Sequence, residues 1–124
     1  MWRRYNPNPR HLMVGDCTVR AITAACDVDW YTAHRDLCEL SREMANMPSA
    51  DVVWHEFLRT CGFRGQEMID QCPDCYTVAD FAADHPRGTF VLGPREHAVC
   101  CINGDWWDSW DSGRTVPTFF LRRD

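Results

Sequence analysis

The amino-acid sequence predicts an α+β domain, with helices first and an antiparallel sheet after them. Between Cys17 and Pro86, apolar residues recur at helical spacing, with Asp, Ser or Thr at the helix starts. From Thr89 onward the chain breaks into short runs rich in β-branched and aromatic residues. Asn103-Gly104 separates two of those runs by the two residues that a type I′ hairpin needs.

Tyr5-Asn6-Pro7-Asn8-Pro9 cannot be helical, because each proline pushes its predecessor towards extended geometry. An irregular strap is expected as far as Gly15. Asp16 then has the place of an N-cap, and Cys17 to Asp27 reads as helix, with Val19, Ile22 and Cys26 on one face. Asp29 caps a second helix carrying Trp30, Ala33, Leu37, Leu40 and Met44. Ser49 is expected to cap a third, through Val53, Phe57 and Cys61, with Gly62 as its stop. A loop holding Cys72-Pro73-Asp74-Cys75 follows. Thr77 and Asp80 form a capping box for a helix ended by Pro86. Strands are expected at Thr89–Leu92, Ala98–Ile102, Asp105–Trp110 and Pro117–Leu121.

A chain of 124 residues reads as one domain over 1–124, long enough to bury a core without a metal or disulfides. Its net charge of −5 gives no electrostatic reason to expect nucleic acid or an anionic membrane as partner. Arg3, Arg4 and Arg10 read as a solvated terminus. No apolar run is long enough to span a bilayer, and Met1 to Asn6 lacks a signal peptide's apolar stretch, so a cytoplasmic protein is expected. The eight cysteines fall mostly inside apolar periodic segments, which fits reduced, buried thiols better than a disulfide framework.

One cysteine stands apart. Cys17 falls in the first turn of a helix, where the dipole favours a negative sulfur, and the small Gly15 leaves room nearby. Asp16 opposes a thiolate slightly. Counting outward from Asn103-Gly104 pairs Val99 with Asp108 and His97 with Trp110. These four side chains then share a face, and Asp108 lies diagonal to His97, where a carboxylate orients an imidazole. Asp111 falls on the opposite face. A helix-start cysteine, a histidine and a carboxylate are the parts of a nucleophilic site.

His97-Ala98-Val99 followed by Asp108-Ser109-Trp110 resembles the His-Ala-Val and Asn-Ser-Trp segments of the papain family. The resemblance implies a papain-like cysteine protease fold with Cys17 as nucleophile, His97 as base, Asp108 as orienter and Trp110 as a shield over their bond. More closely, Tyr5 to Pro9, Gly15 to Ile22, Cys72 to Cys75, His97 and Trp107 to Gly113 resemble short papain-like proteins carried by bacteria and their phages. That likeness covers nearly the whole chain. The papain pattern is departed from at two places: the aromatic that often follows the cysteine is replaced by Thr18, and papain-type enzymes carry a glutamine oxyanion donor six residues before the cysteine, where His11 stands. Asn6, Asn8 and His11 are therefore the candidates, beside the Cys17 backbone N–H.

Cys72 and Cys75 have the spacing of a zinc knuckle, but neither a second such pair nor a histidine at ligand spacing completes a site, so no metal is expected. The function expected is a peptidase or isopeptidase acting on a protein or peptide without a cofactor. Two rivals stand beside it: an inactive papain-fold binding or inhibitor protein, with phage anti-defence as its setting, and a zinc-stabilised interaction module.

Overall fold

The central feature of the computed structural model, which describes residues 1–67 and 76–123, is a six-stranded sheet with helices on both faces. In chain order the elements are β1 (Trp2–Arg4), α1 (Cys17–Cys26), α2 (Trp30–Glu43), α3 (Asp51–Thr60), β2 (Phe63–Glu67), α4 (Val78–Asp84), β3 (Thr89–Pro94), β4 (Val99–Ile102), β5 (Asp105–Asp108) and β6 (Pro117–Arg123). The strands lie in the order β1-β5-β4-β3-β6-β2. The Cys72–Cys75 loop falls outside the described residues.

Alternation along the central strands divides the core in two. Val91, Cys100 and Leu121 face α1, α2 and α3, where they pack with Val19, Ile22, Leu37 and Trp54. Phe90, Leu92, Val99, Cys101 and Phe120 face α4, against Val78, Phe81 and Ala82. With both faces covered, these strands read as nearly continuous apolar runs.

The Asn103-Gly104 hairpin forms as its sequence predicts. Both residues have positive φ, 49° and 84°, and the ladder pairs Cys100 with Trp107, Cys101 with Trp106 and Ile102 with Asp105. The capping box of α4 is complete: Thr77 accepts from the Asp80 N–H, and the Asp80 side chain accepts from the Thr77 N–H.

Four expectations are corrected. The sheet is mixed, because β1 pairs in parallel with β5. It also gains β1 and β2 at its two edges; β1 is largely exposed, and β2 puts Phe63 into the core, so neither carries a run of alternating apolar residues. The third helix starts at Asp51 with Ala50 in the cap position and no side-chain cap bond, so Ser49 is not its cap. The hairpin strands are shorter than expected: β4 begins after His97, and β5 ends before Trp110.

Candidate active site

Three elements converge at one end of the β4–β5 hairpin. Cys17 opens α1, and α1 packs across β4 and β5. His97 closes a tight turn, its N–H donating to the Pro94 carbonyl at 3.1 Å, immediately before β4. Asp108 ends β5 and is fully buried. Because β4 and β5 are paired neighbours, His97 and Asp108 meet at the same sheet end.

His97 Nε2 lies 2.6 Å from Asp108 Oδ2. With Nε2 so occupied, Nδ1 is the ring nitrogen left for a second partner. Cys17 and His97 line a common cleft of about 470 Å³, and each shifts the other's pKa through hydrogen bonding and charge. The Trp110 ring packs against His97 with centroids 4.9 Å apart.

Every acceptor position on the Asp108 carboxylate is used. Oδ2 also accepts from the Ser112 hydroxyl at 2.6 Å, and Oδ1 accepts from the Ser109 N–H at 2.8 Å and from Arg20 Nε at 3.1 Å. A carboxylate so surrounded has one orientation. Asp111, by contrast, accepts from Trp106 Nε1 at 2.9 Å and from the Gly113 N–H at 3.0 Å.

Burial alone would raise the Asp108 pKa, but hydrogen bonds from His97 and Ser112 and the nearby positive charges hold it below the ordinary carboxylate value. Burial pulls His97 the other way; Asp108 and Cys17 overcome it and bring the imidazole up to about 9. At Cys17, burial favours the neutral thiol. The His97 hydrogen bond and charge, the Ala98 N–H and Arg20 outweigh it, so the thiol titrates below its usual value. The two shifts act in the same sense, towards a thiolate–imidazolium pair.

Arg20 and Ser112 are the site residues that sequence reasoning missed. Arg20 had a signal: it is the one charged residue of an otherwise uncharged α1, four residues after Asp16. Ser112 had none. Asp16 occupies the cap position but makes no cap bond. Its Oδ1 accepts from Arg20 Nη1 at 2.6 Å, and its Oδ2 accepts from Trp30 Nε1 at 2.9 Å.

The three oxyanion candidates sit in the strap. Asn6 Nδ2 donates to the Leu12 carbonyl at 3.2 Å. Asn8 is buried, and its Oδ1 accepts from the Arg10 and Leu12 N–H groups at 2.9 and 3.2 Å. His11 is exposed, with a left-handed φ of 57°. Besides Cys17 and His97, the cleft is lined by Thr18, Ser49, Asp51, Trp54 and Glu96.

Among the described residues no group of three or more His, Cys, Asp or Glu is placed to hold a metal ion. No helix among them is long and apolar enough to cross a membrane. Comparisons with models of known families, with curated proteins and with solved structures gave no match to this chain.

Proposed function

We propose that this protein is a cysteine-nucleophile hydrolase of papain-like design, cleaving an amide, isopeptide or thioester bond of a protein or peptide. The observation that carries the reading is the His97–Asp108 bond of 2.6 Å, with the Cys17 thiol beside the same imidazole. In this reading the Cys17 thiolate attacks the carbonyl carbon, and the oxyanion forms near the N–H groups that open α1. His97, as imidazolium, protonates the leaving group and the C–N or C–S bond breaks. The resulting thioester is hydrolysed by a water that gives its proton back to His97. Asp108 holds the ring and stabilises its charged form, and Trp110 screens their bond from solvent. No cofactor enters the chemistry, and the site needs its thiol reduced, which suits a cytoplasmic setting.

The cleft supports a substrate that is neutral or basic near the scissile bond, since Asp51 and Glu96 line it and, among the described residues, no Arg does. The rival, a catalytically silent binding or inhibitor protein on the same scaffold, draws support from the strap. There the Asn6 amide N–H donates to the Leu12 carbonyl and the Asn8 Oδ1 accepts from the Arg10 N–H, so both side chains are engaged in local turns.

A thiol-reactive activity probe separates the two. Labelling of Cys17 at neutral pH is expected to be strong in the native protein and to fall at least about 10²-fold in His97→Ala, the range one proton-transfer group contributes. Equal labelling of both proteins removes the enzyme reading.

A further inference from the structure

Arg20 is buried at 5% side-chain exposure between two carboxylates that are themselves buried, Asp16 at 6% and Asp108 at 0%. Its Nη1 lies 2.6 Å from Asp16 Oδ1 and its Nη2 lies 3.0 Å from Asp108 Oδ1. Three buried charges are an expensive way to fill space, because apolar side chains of similar volume often stabilise a fold as well or better. The planar guanidinium fork can hold two carboxylates at once, which an ammonium does poorly.

We propose that Arg20 is a positioning residue of this site. By bridging Asp16 and Asp108 it keeps one carboxylate off the start of the Cys17 helix and fixes the other behind His97. The proposal rests on the cysteine-nucleophile reading and adds a residue to it.

The reasoning starts at the cap. An Asp before the first helical residue ordinarily accepts from the second or third N–H of the helix. Here that would set a carboxylate over the N–H groups of Thr18 or Val19, beside the Cys17 sulfur, where it would occupy their hydrogens and oppose a thiolate. Arg20 and Trp30 instead take one Asp16 oxygen each. The same guanidinium holds Asp108 by Oδ1 and leaves Oδ2 to His97 and Ser112. The charged groups around Cys17 are then His97 from the turn before β4, Arg20 of its own helix with Asp16 and Asp108 behind it, and Asp51 and Glu96 on the cleft walls.

The test follows alkylation of Cys17 by iodoacetamide against pH, read on the Cys17 peptide by mass spectrometry so that other thiols do not contribute. Arg20→Met frees Asp16 to swing back to the helix start. Its alkylation midpoint is expected to move alkaline by about one pH unit, which makes alkylation about ten-fold slower below the midpoint. Adding Asp16→Ala to that variant removes the returning carboxylate and is expected to bring the midpoint back towards the native position. A purely structural role for Arg20 predicts no such reversal.

An unmoved midpoint in folded Arg20→Met, or a second substitution that deepens the shift, overturns the proposal. Should Arg20→Met fail to fold, Arg20→Lys decides, since it keeps the charge but not the fork. An alkaline shift with native melting behaviour supports the proposal, and an unmoved midpoint ends it. Failure of the underlying reading looks different: the native protein itself would then alkylate with an ordinary thiol midpoint, and His97→Ala would leave it unchanged.

Discussion

Asp108 and Asp111 stand three residues apart in one Asp-Ser-Trp-Asp run, and their surroundings give them different work. Asp108 is enclosed by His97, Ser112, Ser109 and Arg20; Asp111 ties the Trp106 indole to the following turn. Asp108→Asn is expected to slow probe labelling of Cys17 strongly. The loss should stay below the about 10⁴ that a serine triad suffers without its acid, because a Cys–His ion pair forms with less help. Asparagine is the better substitution, since it keeps an acceptor for Arg20, whereas alanine would leave the buried Arg20 Nε and Nη2 without their partner at a cost of about 1–3 kcal/mol. Asp111→Ala should leave labelling near the native rate and cost stability about 0.5–1.5 kcal/mol. The reverse pattern would discard Asp108 as orienter. Extending the hairpin ladder outward in the sequence favours Asp108, but β4 begins at Val99 and β5 ends at Asp108. His97 and Asp111 therefore lie beyond the paired strands, and their loops, not strand alternation, set where they point. The Arg20 bridge was not legible in the sequence, because which buried groups an arginine fork joins depends on packing between a helix and a distant strand end.

At the scale of elements, what could be read followed burial. α1 to α4 and β3, β4 and β6 announce themselves because each has a face or a whole run in the core, and β5 is announced by the Asn103-Gly104 turn before it. β1 is not announced, because pairing at a sheet edge requires little of its side chains, and in β2 the one core side chain, Phe63, is too few to show a period. Close approach between neighbouring strands was also hidden. Gly93 pairs with Phe119, and a Cβ built on Gly93 would meet the Phe119 ring at 2.0 Å. That ring is held by Trp54 and His55, with centroids 5.6 and 4.5 Å away, so it cannot simply swing aside. Gly93→Ala is therefore expected to cost about 1–3 kcal/mol, the usual penalty of overpacking. Gly15 is the control, since a Cβ there meets nothing within 4 Å and its φ is not in the left-handed region. Urea titrations showing equal loss in the two alanine variants would contradict this account of the β3–β6 packing.

For the whole molecule, the pairing of Cys17 with His97 links the site to folding through pH. The folded pKa of His97, about 9, lies above the unfolded histidine value of about 6.5. Its stabilisation is therefore full below about 6.5 and is lost as pH rises through about 9. Cys17 works in the opposite sense. Its folded pKa lies below that of an unfolded thiol, so its contribution is present above the unfolded value and is lost as pH falls through the folded one. Asp108 follows the sense of Cys17, but at acid pH. Where the native state holds thiolate and imidazolium, the unfolded chain near pH 8 holds thiol and neutral imidazole. Both then bind one proton, so the pair adds no slope to stability there. Replacing Cys17 with Ser breaks this balance. The serine variant keeps Asp108 against His97, so its native state binds a proton that its unfolded state lacks. Its stability is expected to decline from about pH 6.5 upward, more steeply than that of the native protein. Urea unfolding at a series of pH values decides the matter: parallel stability curves for the two proteins would mean that Cys17 and His97 do not share a proton in the folded state.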